Sequence, residues 1–119
     1  MLEPMTRVVI VCYRPKVGRR NALRALVMEH VPFLRARGLV SERAPVIMEA
    51  EDGTIVEVFE WASLEAIESA HGDPAVAALW KRFEAACEYV PASAVPEMGR
   101  LFSEFTPLGI SAADAGEAS

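Results

Sequence analysis

Two histidines and one carboxylate are the residues of this chain best suited to do chemistry. His71 stands in the break His71-Gly72-Asp73-Pro74 between two helical stretches. An imidazole there can act as acid, base or donor to a ligand. The alternative is a polar residue that caps or bridges the kink. Glu57 lies inside the apolar run Ile55 to Trp61. A carboxylate among aliphatic residues is costly unless it is paired or hydrated. It either lines a pocket and abstracts protons, or pairs with an arginine near a dimer rim. The candidate catalytic pair is therefore His71 as acid/base, with Glu57 as its partner or as the base itself. His30 falls on or beside the apolar stripe of the first helix, where a core or pocket-wall role fits better than catalysis. Tyr13, Trp61, Trp80 and Phe83 complete the ligand-binding candidates. A phenol can donate into a pocket and an indole can stack on a flat organic ligand. The helical spacing of Trp80 and Phe83 also fits a plain core.

Other chemistries lack their residues. The two histidines have no metal-ligand spacing, and two cysteines make no cluster, so no metal site is expected. Cys12 and Cys87 read as small buried hydrophobes. There is no Gly-rich phosphate loop, Ser-His-Asp order or nucleophile elbow, and no cofactor is expected. Arg14, Lys16, Arg19, Arg20 and Arg24 gather near the start of the first helix. They form either a solvated basic loop or the seat of an anion at that helix end.

The elements that must position these groups follow from local patterns. Arg7–Arg14 alternates as a strand, with Val9, Val11 and Tyr13 on one face and Val8, Ile10 and Cys12 on the other. A helix is expected over 19–37, with Pro32 kinking or shortening it and Gly38 stopping it. A second strand covers about 43–51. Asp52-Gly53 is a two-residue hairpin signal, which would set Ala50 opposite Ile55, Met48 opposite Glu57 and Val46 opposite Phe59. The strand Ile55–Trp61 feeds a helix from Ser63, broken at His71 and restarted by the N-cap Asp73 and by Pro74. The restarted stretch carries Val76, Leu79, Trp80, Phe83, Cys87 and Val90 at helical spacing. A loop at 91–97 and a last strand at 99–106 follow. Residues 1–5 and 107–119 are expected to be tails, the latter disordered.

That order is βαββαβ over residues 6–106, with the two halves alike. It predicts an α+β, ferredoxin-like domain: a four-stranded antiparallel sheet with two helices on one face. The first and third strands would be central. Both carry apolar residues front and back, so one face would be left wet. A homodimer joined through its sheet faces is the expected remedy. At 119 residues and 52% hydrophobic content the chain is one globular domain. A net charge of −5 argues against a nucleic-acid binder. No apolar run approaches the roughly 20 residues of a membrane span. The first residues do not read as a signal peptide. A cytoplasmic, reduced protein is expected.

Glu60-Trp61-Ala62-Ser63 leading into Ala70-His71-Gly72-Asp73-Pro74 and Leu79-Trp80 resembles the dimeric α/β-barrel superfamily, in the branch related to antibiotic-biosynthesis monooxygenases. The resemblance implies a dimeric barrel with a ligand pocket between each sheet and its helices. Members include cofactor-free oxygenases, haem-degrading enzymes, isomerases and decarboxylases, so fold alone assigns no reaction. Haem-degrading members use an Asn on the first strand, a Trp early in the second helix and an axial His further along. Here 7–14 holds no Asn, Ala70 replaces the Trp, and Trp80 replaces the His, so haem degradation is not expected. The reading that results is a small-molecule-binding protein. Its possible chemistry is cofactor-independent oxygenation or proton transfer on an aromatic or polyketide-like compound. The alternative is a non-catalytic ligand-binding or structural dimer.

Overall fold

The computed structural model describes residues 5–109. Strand β1 (Arg7–Pro15) is followed by helix α1 (Arg20–Ala36), strands β2 (Val46–Glu49) and β3 (Ile55–Trp61), helices α2 (Leu64–His71) and α3 (Pro74–Ala86), strand β4 (Cys87–Val90), two short 3₁₀ turns, and strand β5 (Thr106–Pro107). The strands form one antiparallel sheet in the order β4-β1-β3-β2-β5. The fold is α+β as expected, but with five strands and three helices among the described residues instead of four and two.

Local chemistry sets most boundaries. The Ser63 hydroxyl accepts from Ala66 N at 3.0 Å and starts α2. Asp73 Oδ1 accepts from Ala75 N at 2.9 Å and starts α3, with Pro74 at its first position. Helix α1 runs through Pro32, which sits on its exposed side, where a carbonyl deprived of its donor can be hydrated. It ends at Gly38, whose φ of +74° allows Leu39 N to reach Leu34 O at 3.0 Å and Gly38 N to reach Arg35 O at 2.9 Å.

Strand β4 is where the helical pattern misleads. Cys87 and Val90 continue the α3 spacing, yet Cys87 is already extended (φ −153°) and the helix closes at Ala86. Lys16 N takes the Ala86 carbonyl at 2.9 Å, and Cys87–Val90 then pairs along β1 from Pro15 to Cys12. The strand expected at 99–106 is therefore mostly irregular chain, with Leu101 and Phe102 exposed. Only its end pairs, as β5 on the outer edge of β2. Ordered chain also passes the expected boundary at 106, since Leu108 is buried and its N–H donates to Ile47 O at 2.9 Å. The rest of the expected tail, from 110, lies outside the described residues.

The β2–β3 hairpin is one residue out of the expected register. Gly53 N bonds Ala50 O at 3.0 Å and Ala50 N bonds Thr54 O at 2.8 Å, with Gly53 at φ +93°. The loop is thus a three-residue turn closed by a glycine bulge, not a two-residue turn. Val46 faces Val58, Ile47 faces Glu57 and Met48 faces Val56. A slip of one residue exchanges the faces of the whole strand.

All three helices cover the sheet face that bears Val9, Tyr13, Ile55, Glu57 and Phe59. Glu57 therefore points toward the helices. The opposite face divides. Around Cys12, Val56 and Ala50 it is covered by Val95, Ala92, Met98 and Phe105 of the C-terminal segment. Further along, Val8, Ile10 and Val46 are exposed at 56%, 51% and 54%. The expectation of a wholly wet second face is corrected: the chain covers one end of that face itself.

Two glycines, one in the hairpin turn and one at the end of α2, should respond oppositely to a methyl group. Gly53→Ala forces a Cβ into the left-handed region and should cost about 1 kcal/mol. Gly72→Ala, at φ −99° with no close atom in the way, should be neutral or stabilising by up to about 1 kcal/mol. Urea unfolding of both variants checks the pair.

Candidate functional site

A cavity of about 320 Å³ opens between the helix-facing side of the sheet and the helices. Val9 and Val11 of β1 and Phe59 and Trp61 of β3 line the sheet side, and Trp80 and Phe83 of α3 line the helix side. Tyr13 and His30 also reach it, both buried. His71, Glu84 and Tyr89 line the cavity too and are exposed, which places them at its solvent side. The register explains the assembly: Val9, Val11 and Tyr13 alternate onto the helix-facing side of β1, opposite Phe59, Glu57 and Ile55 of β3.

Directly behind Tyr13 and His30 lies Glu57, with no exposed surface. The Tyr13 hydroxyl donates to Glu57 Oε1 at 2.5 Å, in the range of charge-assisted bonds. His30 Nδ1 meets the same oxygen at 2.9 Å. On the other side of the ring, Trp80 Nε1–H donates to His30 Nε2 at 3.0 Å. An indole N–H can only donate, so Nε2 is the unprotonated nitrogen of a neutral imidazole. The proton is then on Nδ1 and is given to Glu57. The result is a directed chain, indole to imidazole to carboxylate, with the phenol donating to the same end. Glu57 Oε2 has no partner among the described residues. The imidazole is held edge-on between Phe59 and Phe83, at 5.5 and 5.0 Å between centroids.

All seven residues singled out in the sequence come together here, with Glu57, His30 and His71 partnered otherwise than expected. Glu57 is paired with His30 and Tyr13, not with His71 or an arginine at a rim. His30, expected as wall, holds the central place. His71 is exposed, and its Nδ1 is tied to Ile67 O at 2.8 Å within α2. Its ring meets Trp80 edge-on at 5.4 Å. Trp80 is a hydrogen-bond donor in the chain as well as wall. Tyr89 was missed because its strand was read as the end of the helix. It stands opposite Tyr13 on β4, 5.6 Å between ring centroids. Period-2 alternation around Tyr89 was too short to signal it.

Two members of the basic cluster are engaged within the chain. Arg20 pairs with Glu49 at 2.6 Å, and Lys16 Nζ donates to Glu84 O at 2.8 Å. No group of three or more His, Cys, Asp or Glu among the described residues is arranged to hold a metal. No helix among them is long and apolar enough to cross a membrane. No protein-family model, curated protein or solved structure matches the chain.

Loss of hydration raises both phenols above their ordinary value, Tyr13 being buried and Tyr89 half-exposed. Desolvation first, then the neighbouring Glu57 charge and hydrogen bond, hold the Tyr13 phenol well above its usual value. Desolvation pushes Tyr89 up to about 12. The unfolded chain releases these protons near pH 10.0, whereas the native chain keeps them. Stability should therefore be unaffected by these groups below that pH and fall as pH rises above it. A 295 nm titration of native protein should show no tyrosinate near pH 10, and urea midpoints should drop between pH 9 and 11.

Proposed function

We propose that the chain is a small-molecule-binding protein of the dimeric α/β-barrel type. Its cavity takes a flat hydroxyaromatic or polyketide-like compound, and His30, backed by Glu57, acts as the base. One observation carries the reading: a cavity-lining imidazole is bonded through Nδ1 to a fully buried carboxylate, and its Nε2 is held only by the indole of Trp80, itself part of the wall of the 320 Å³ cavity. Proton transfer breaks the ligand O–H bond and forms a bond to His30 Nε2. The imidazolium so made is an ion pair with Glu57, and the ligand is left as its anion. That separation is favourable because the carboxylate is already in place and desolvated. Such an electron-rich anion is the species on which cofactor-independent oxygenation by dioxygen would proceed. Tyr13 fixes the carboxylate from the other strand. His71, at the solvent side, contacts the path into the cavity.

The strand order β4-β1-β3-β2, with helices on one face, supports the ferredoxin-like reading, β5 being an addition at the edge. The homodimer would form on the uncovered part of the outer face, around Val8, Ile10 and Val46. His30 Nε2 already holds the Trp80 indole, an arrangement that also suits a carrier that binds without turnover.

The two readings separate with 4-nitrophenol, whose anion absorbs at longer wavelength than the phenol. Bound to the wild type below its solution pKa, it should show the anion band. His30→Ala and Glu57→Gln should abolish the band and His71→Ala should keep it. Binding with no anion band in the wild type would leave the carrier reading alone. For the assembly, light scattering at micromolar concentration should report twice the 13.0 kDa of one chain. Ile10→Asp should halve that mass, and a wild-type species of 13.0 kDa would end the barrel proposal.

A further inference from the structure

Trp80 holds a position that the proposed base needs free. Its indole N–H is the protein's own donor on His30 Nε2, the nitrogen that must receive a ligand's proton. The indole is only partly buried and lines the cavity, whereas His30 is buried at 4% exposure. Any ligand that reaches Nε2 has to take over the bond that the indole now makes. Resting on the base assignment above, we infer that Trp80 is a displaceable placeholder for the ligand's own donor, and that this exchange sets which ligands the cavity accepts.

The chemistry of the exchange is selective. Nε2 is a lone-pair acceptor in an aromatic setting, with the Glu57 carboxylate on the far side of the ring. A neutral hydroxyarene or enol replaces the lost indole bond with its own O–H. An O-methyl ether has no donor, so it would leave the buried nitrogen unpaired, and displacement of the indole goes uncompensated. An aromatic carboxylate brings a second anion toward a buried one, with no donor to offer. The class selected is therefore a flat apolar body carrying a neutral hydroxyl. His71 braces the placeholder from the solvent side: its ring lies edge-on to Trp80 at 5.4 Å and its Nδ1 is anchored on the Ile67 carbonyl at 2.8 Å. Swinging the indole outward must disturb that contact.

The test uses 1-naphthol, 1-methoxynaphthalene and 1-naphthoate with the full chain, read by calorimetry and by the indole N–H signals of the ¹⁵N-labelled protein. The chain has two tryptophans, so Trp61→Phe assigns the Trp80 signal. Naphthol should bind at least about tenfold tighter than the ether or the acid. It should move the Trp80 indole signal and speed its exchange with solvent. Trp80→Phe keeps an aromatic wall without the N–H, and should tighten naphthol by about fivefold while narrowing its lead over the ether. The wild-type indole signal decides the matter even where that variant does not fold. Equal affinities for naphthol and ether, or naphthol binding with a static Trp80 signal, would overturn the displacement. If the nitrophenol anion band is nevertheless present, the base assignment survives that failure. If no hydroxyarene binds at all, both fall together.

Discussion

A carboxylate without exposed surface in the middle of a sheet has to be met by donors, because an unpaired buried charge costs several kcal/mol. Glu57 is that carboxylate, and the elements around it are arranged to satisfy it. Tyr13 comes from the neighbouring strand, His30 from α1, and Trp80 of α3 joins through the imidazole. One side chain of β3 thus ties β1 and two helices to a common point.

The direction of the hydrogen bonds matters as much as their number. Indole, imidazole and phenol all donate toward Glu57, and nothing among the described residues donates to its second oxygen. The tautomer of His30 follows from its neighbours on both sides and not from its own preference. On the proposed reading, a ligand that displaces the indole and delivers a proton at Nε2 completes a pair with the Glu57 carboxylate behind the ring. Phenolic Tyr13, held protonated by burial and by Glu57, is a fixed donor and not a competing base.

The outer face follows a different constraint. Val8, Ile10, Cys12, Val56 and Val58 are apolar where no helix covers them, which is costly in a lone sheet. The chain answers half of this with its own C-terminal segment, laying Val95 and Met98 over Cys12 and Val56. The remaining exposed valines and isoleucine lie beside Glu60, which is held by Ser41 at 2.7 Å and Arg43 at 3.1 Å. An apolar patch with a polar margin is how association surfaces are commonly built.

Local information was enough for β1, β3, α1, the break at Gly72 and the caps at Ser63 and Asp73. Each depends on alternation, helical spacing or a side chain bonding its own backbone, all within a few residues. The same information singled out Tyr13, His30, Trp61, Trp80 and Phe83 of the cavity wall but not Val9, Val11 or Phe59, whose alternation reads as plain core. It could not set the hairpin register, because Asp52-Gly53 serves a two-residue turn and a bulged three-residue turn equally, and the two exchange the faces of β2. Nor could it separate β4 from α3, since Cys87 and Val90 continue the helical spacing of α3 and only pairing with β1 decides. The partners of Glu57 lie 44 and 27 residues away. No spacing encodes such a contact; it exists only once β1, β3 and α1 are packed, and that packing made His30, not His71, the histidine at the carboxylate.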